Sequence, residues 1–214
     1  MKQFAVIGLG RFGASLAVTL ARMGYEVLAV DRDEDRVKAV VDEVTHAVQA
    51  DALDAEALKA LGLKNFDVVV VAIGTDIEAS ILTTVMLKEM RVRRIMAKAN
   101  TELHGKVLAR VGADKVIFPE RDMGVRVAHA MVSGNIIDHI ELSSDYSVVE
   151  LVAPKGLVGK TLGEAEIRGR HGISLIAIRR GADVIVAPGA DQVIEEGDIL
   201  VAIGKTKRFD KWGR

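Results

Sequence analysis

Three glycines stand in the phrase Gly8-Leu9-Gly10-Arg11-Phe12-Gly13, between an apolar run from Phe4 to Ile7 and a helical pattern that continues to Met23. Each has a mechanical use. Gly8 permits a tight strand-to-helix turn, Gly10 lets the backbone approach a pyrophosphate, and Gly13 lets the helix pack closely on the strand. Phosphates would then rest on the first N–H groups of the helix, where the dipole favours negative charge. A second apolar run, Val27 to Val30, ends at Asp31, a position where a carboxylate accepts hydrogen bonds from both hydroxyls of a ribose. Strand, glycine turn, helix, strand and tip acid together predict a nucleotide site. The alternative is a glycine turn that merely packs well.

These residues need a scaffold, and the change of hydrophobic period along the chain supplies one. A helical pattern from Asp33 to Glu43 carries Val37, Val40, Val41 and Val44 on one face, and HAVQAD (46–51) is a short strand ending in another acid. Asp54 is placed to cap a helix that ends at Gly62. Val68 to Ile73 is a continuous apolar run of the kind buried on both faces of a parallel sheet. There follow the turn Gly74-Thr75-Asp76, a helix to about Met90, the strand 94–99, a helix from Thr101 to Val111 and the strand 115–118. Six strands alternating with five helices predict a doubly wound, Rossmann-like α/β sheet, whose ligands bind at the carboxyl ends of the strands. Gly8, Asp31, Asp51, Gly74 and Lys98 all fall at such ends and converge, with Phe12 and Ile73 beside the two glycine turns and Arg32 beside the tip acid.

Pro119 closes the last strand, and residues 120–134 form an amphipathic helix with Met123, Val127, Ala130 and Met131 on one side. Two readings stand for it: an ordinary packing helix, or one that crosses to a partner subunit. Beyond it the texture changes to short strands (139–142, 146–154, 173–180, 183–188, 197–204) with one short helix at about Leu162 to Arg168, which predicts a small α+β module. The expected domains are 1–138 and 139–214.

The totals restrict function. Half of the 214 residues are hydrophobic, enough for a substantial core, and 29 basic residues against 30 acidic leave no broad field for nucleic acid or an anionic membrane. The absence of cysteine excludes disulfides, thiolate zinc sites and a cysteine nucleophile. No apolar run approaches the ~20 residues of a membrane helix and no leader pattern precedes the first strand, so a cytoplasmic location is expected. His46, His104, His129, His139 and His171 occupy no recognisable catalytic setting. The chain reads as a binding module rather than an enzyme, with a small NAD(P)-dependent oxidoreductase as the alternative.

IGLGRFG (7–13), VDRD (30–33), THAVQAD (45–51), LGLKNFDVVVVAIG (61–74), AKA (97–99), GADKVIFPERDMG (112–124), LVGKTLGEAEIRGRHGISLIAIRRG (157–181) and VIEEGDILVAIG (193–204) carry a family likeness over nearly the whole chain. It resembles the RCK-domain regulators of Trk/Ktr-type potassium uptake, the KtrA/TrkA-like proteins; PERDMG (119–124) is the most specific piece, since a generic Rossmann protein has no reason to carry it. The resemblance implies a homodimer assembled into an octameric gating ring, at the inner face of the cell membrane through a separate potassium-transporting subunit. It also implies that ATP, ADP or NAD(H) in the Rossmann cleft changes the shape of the ring.

Carried over to this chain, Gly8, Gly10 and Gly13 hold the phosphates, Asp31 the ribose, and Asp51 with Ala52 flank the adenine. Arg11 neutralises a terminal phosphate. Glu120 lies near the phosphates, where it would hold Mg2+ or Ca2+. Each has a structural alternative: Arg11 a solvated side chain, Glu120 a helix-start acid, Asp51 a helix cap, Lys98 an ion-pair partner of either acid rather than a phosphate contact. The glycines serve ATP and NAD(H) alike, and Arg11 favours ATP because a third phosphate gives a guanidinium something to grip. Asp31 repels a 2′-phosphate, an effect Arg32 partly offsets, so NADP is disfavoured. For the C-terminal module the resemblance implies cyclic di-AMP at a dimer interface, with Ile167, Ile173, Ile178 and Pro188 as the apolar set, Arg168 for phosphate, and Ser174 where asparagine would be expected; the competing reading makes these isoleucines core.

Overall fold

The valine run is a central strand. Val69 and Val71 point into one apolar cluster with Ala5, Ile7 and Ile95, while Val70 joins another with Val6, Ala29 and Ala72, the period-two alternation of a strand buried on both faces. The computed structural model describes residues 2–132 and 136–212, and its contacts divide the chain into two units, Met1–Glu120 and Arg121–Arg214.

The first unit holds β1 (Gln3–Ile7), β2 (Glu26–Asp31), β3 (His46–Gln49), β4 (Val68–Val71), β5 (Ile95–Lys98) and β6 (Lys115–Ile117), all parallel, in the order β3-β2-β1-β4-β5-β6. The doubly wound architecture is therefore present, with the reversal of strand order between β1 and β4. Ile7 lies beside Val30 on one side and Val71 on the other, so the turns after β1, β2 and β4 open at the same end of the sheet.

Five helices connect these strands: α1 (Arg11–Arg22), α2 (Glu34–Lys38), α3 (Ala55–Ala60), α4 (Ile77–Glu89) and α5 (Glu102–Val111). Four begin on a side-chain cap. Asp33 accepts from the N–H groups of Asp35 and Arg36, Asp54 from Glu56 and Ala57, Asp76 from Ala79, and Thr101 from His104. Each such cap contributes about 1 kcal/mol. α2 is much shorter than the 33–43 pattern predicts. It closes at Ala39, and the β-branched Val40, Val41 and Val44, poor helix formers, lie in turns beyond it, with Val40 buried and Val41 exposed.

A long helix, α6 (Pro119–Val132), follows β6, and Met123, Val127 and Met131 are exposed on it; the side chain of Ala130 and residues 133–134 lie outside the described residues. The second unit is an antiparallel sheet of β7 (Ile136–Glu141), β8 (Tyr146–Val152), β9 (Ile173–Arg180), β10 (Asp183–Val186) and β11 (Ile199–Lys205), ordered β10-β9-β11-β8-β7. β7 crosses residue 138 and pairs with β8 in this sheet.

Where one helix is expected there are two, α7 (Leu162–Ala165) and α8 (Ile167–His171), because Glu166 between them turns to φ 44°, the left-handed region. A further helix, α9 (Thr206–Trp212), has no counterpart in the sequence reading. Its Phe209 is buried in the core of this unit, and seven residues carry too little periodicity to announce a helix. Among the described residues no helix is long and apolar enough to cross a membrane.

Candidate functional site

A cleft of about 730 Å³ opens at the carboxyl ends of the first sheet. Gly8, Gly10, Arg11, Phe12, Asp31, Arg32, Asp51, Ala52, Ile73, Gly74, Lys98 and Glu120 all line it. Every position singled out in the first unit is thus gathered at one site except Gly13, which acts from behind. A methyl on Gly13 would come within 1.9 Å of the Gly8 carbonyl oxygen, so this glycine permits helix and turn to touch. Gly8 has φ +96° and a methyl there would meet the backbone of Ile73 at 3.0 Å, whereas a methyl on Gly10 would meet nothing within 4 Å. The tight turn expected at Gly8 and the close helix packing expected at Gly13 follow from these contacts, and the space beside Gly10 is open.

The N-terminus of α1 opens on the cleft, which Gly10, Arg11 and Phe12 line. Gly10 precedes it in extended conformation, no side chain caps it and no acid lies in its first turn. Of α1 to α5 it alone lacks a side-chain cap among the described residues. Its leading N–H groups therefore remain free to meet an anion, with the helix dipole behind them.

Asp31 is not a free loop acid, as its place at a strand tip suggests. It is buried at the end of β2, where Oδ2 accepts from Leu9 N–H at 2.6 Å and Oδ1 from Asp33 N–H at 2.9 Å. The carboxylate holds the glycine turn to the second strand, and each oxygen keeps a lone pair that these two bonds do not use. Arg36, on α2, stands 3.6 Å from Asp31 Oδ2 and also lines the cleft. Asp51 accepts from Leu53 N–H at 2.9 Å, a local turn bond, while the cap of α3 comes from Asp54.

On the opposite wall the Lys98 ammonium, almost buried, donates to Glu120 Oε1 at 2.5 Å. That bond holds the Glu120 carboxyl below the usual range, with burial opposing and the nearby Arg11 charge adding to the effect. Asn100 donates from its side chain to the Gly74 carbonyl, and its backbone N–H donates to Nδ1 of buried His104 at 3.4 Å. Burial pushes the His104 pKa down and keeps the ring neutral. Asn100, Arg36 and Asp76 are cleft residues that sequence reasoning missed. Asp76 had a signal, as a capping acid just past a central strand; the other two acquire their place only through the fold.

Among the described residues no group of three or more histidines, cysteines and carboxylates is arranged to hold a metal ion. A divalent cation at Glu120 would need most of its ligands from phosphate oxygens and water, the usual situation for Mg2+. In the second unit Ile167, Ile173 and Ile178 are buried core residues, Arg168 is exposed, and Ser174 and Pro188 are half-buried.

Comparison with known proteins places this geometry. Residues 4–119 match the TrkA-N domain and residues 146–211 the TrkA-C domain. Ktr system potassium uptake protein C of Bacillus subtilis is 51% identical over 213 residues, covering 98% of this chain and 96% of the relative. Ktr system potassium uptake protein A of the same organism is 45% identical, covering 99% and 97%. Among solved structures, the GsuK RCK domain has a TM-score of 0.70 at 20% identity, covering 99% of this chain and 47% of that one. The GsuK channel bound to NAD has a TM-score of 0.66 at 19% identity, covering 97% and 38%. These structures share the fold. With both of its units matched and two Ktr proteins similar along almost the full length, the chain belongs to the family of TrkA-N and TrkA-C domain proteins, the RCK-domain subunits of Ktr/Trk potassium uptake systems.

Proposed function

We propose that this protein is a non-enzymatic, cytoplasmic regulatory subunit that senses an adenine nucleotide and controls a membrane potassium transporter of the Ktr/Trk type. The uncapped first turn of α1 carries the reading. Its free N–H groups, the glycine-lined approach and Arg11 suit a chain of phosphates, Asp31 suits the ribose, and the chain is half identical to a protein named for potassium uptake. Ala52, which is buried, and Asp51 form the adenine end. ATP and ADP are the preferred pair over NAD(H), because Arg11, Lys98 and Glu120 concentrate charge where a terminal phosphate would lie.

The transduction follows from that placement. Ribose and adenine contacts are common to ATP and ADP, so they shift no conformational equilibrium; only the terminal phosphate differs. It would draw on Lys98 and Arg11 and set Glu120 against it, unless Mg2+ or Ca2+ enters between carboxylate and phosphate. A homodimer assembled as an octameric ring would carry that change to the transporter, with exposed Met123, Val127 and Met131 on α6 as the contact between copies. In the second unit the accessible Arg168, Ser174 and Pro188 would take cyclic di-AMP, with Ile167 and Ile173 forming the floor from the core side.

The test is co-purification with the membrane subunit, followed by potassium flux in liposomes with ATP, ADP or NADH. Nucleotide-dependent flux is expected. Flux indifferent to all three, or turnover of NADH with a small substrate, would overturn the reading.

A further inference from the structure

The rim of the cleft beyond Asp31 carries a feature that adenine, ribose and phosphate chains do not use. Arg32 and Arg36 line the cleft there with Asp31 and Asp33, two cations against the two acids of this part of the lining, where a ribose-reading site ordinarily presents an uncompensated acid. The commitments of the four groups differ. Asp31 accepts two backbone N–H bonds, and Asp33 accepts from Asp35 and Arg36 as the cap of α2. Arg36 is different. Its guanidinium lies 3.6 Å from Asp31 and 3.6 Å from Asp33, beyond hydrogen-bond distance, the side chain is 52% exposed, and among the described residues the guanidinium donates no hydrogen bond.

Five N–H donors in a planar fork, held at the rim by two long ion pairs, form a receptor for a second anion. A group carried on a ribose hydroxyl held by Asp31 would lie within reach of Arg36, whose guanidinium is 3.6 Å from that carboxylate. Accepting the nucleotide reading above, we propose that Arg36 sets the tolerance of the cleft for charge on the ribose. It balances Asp31 when the 2′-hydroxyl is free and turns onto a 2′-phosphate when one is present. The site then admits 2′-phosphorylated adenine nucleotides, the NADP(H) chemical class, alongside the unmodified ones.

Calorimetric titration of the full chain with AMP and with adenosine 2′,5′-bisphosphate isolates the 2′-phosphate, since the two differ in nothing else. The native protein is expected to bind the bisphosphate at least as tightly as AMP. Arg36→Met should weaken the bisphosphate about tenfold more than it weakens AMP, as loss of charge-assisted bonds does. Arg36→Lys should restore part of the loss, because a point charge replaces a fork. A native protein that binds the bisphosphate about tenfold more weakly than AMP, or an Arg36→Met variant that loses both ligands equally, would overturn the proposal while leaving nucleotide sensing intact. Failure of AMP, ADP and ATP alike to bind would overturn the nucleotide reading and this inference with it.

Discussion

Lys98 and Glu120 are bonded on one wall of the cleft at 2.5 Å, a buried ammonium to an exposed carboxylate. The two halves of this pair have opposite relations to a phosphate: one attracts it and the other repels it. On the reading proposed above Glu120 would compete with a nucleotide for Lys98, the one buried cation of the cleft wall among the described residues, and a divalent cation would relieve the competition.

Glu120→Gln should tighten ATP binding in the presence of a chelator by about 1 kcal/mol, the scale of a solvent-screened charge pair, and should remove the dependence on Mg2+ or Ca2+. Titration with and without the cation checks both. Because the carboxyl is held below its usual range, the pair is present above the unfolded-state pKa and is lost only as pH falls through the folded value. The cation dependence should accordingly be flat across neutral pH. An unaltered dependence in the variant would make Glu120 merely the acid at the start of α6.

Asp31→Ala should damage fold and binding together. The expectation from a strand-tip position is a harmless loop substitution, but the buried carboxylate satisfies Leu9 N–H, and Leu9 is itself buried. Orphaning that donor costs about 1–3 kcal/mol of stability, and losing the ribose acceptor a similar amount of nucleotide affinity. Denaturant unfolding and calorimetry separate the two losses. Asp31→Asn, which keeps an acceptor for one N–H, should recover part of the stability and less of the affinity.

Two glycine substitutions should dissociate stability from binding. Gly13→Ala places a methyl 1.9 Å from a backbone oxygen, which no side-chain rotation relieves, and should cost roughly 2 kcal/mol or more by overpacking. Gly10→Ala meets nothing within 4 Å and its φ of −63° suits any residue, so stability should change by less than ~0.5 kcal/mol. Its methyl would nonetheless lie in the cleft, and nucleotide affinity should fall. Equal effects of the two on thermal unfolding would contradict this assignment.

In the second unit Arg180 grips the fully buried Asp198 with two bonds of 2.8 and 2.9 Å and also donates to Val193 O at 3.0 Å. Arg180→Met should cost about 3 kcal/mol or more, because it strands a buried carboxylate. The Arg180 hydrogen bonds hold Asp198 below the usual carboxylate range despite burial. Its contribution is thus full above the unfolded-state pKa and disappears as pH falls through the folded one. In the variant the acid limb of the stability profile should move to higher pH.

Much of this molecule is legible in its residues, and the failures share a cause. The caps at Asp54 and Asp76 and the turn glycine Gly62 mark element ends through bonds between neighbours in the chain, so local chemistry announces them. The gathering of Gly8, Asp31, Gly74 and Lys98 was legible because parallel strands aim their ends in one direction. Asn100 and Arg36 were not, since their value lies in reaching Gly74 and Asp31 across the fold. The left-handed turn at Glu166 is another such case: nothing about a glutamate advertises φ 44°. The 33–43 pattern overstates α2 because Val40, Val41 and Val44 continue a helical period while lying beyond the helix end.

The bare start of α1 makes the ligand a structural part. Its neighbours are closed by aspartate or threonine side chains and α1 is not, so on the reading proposed above a bound phosphate would act as the missing cap. Occupancy should then be written into the backbone itself. The amides of Arg11, Phe12 and Gly13 should exchange freely with solvent until a nucleotide arrives and slowly thereafter, so that this single turn would record the state of the cleft before any larger motion does.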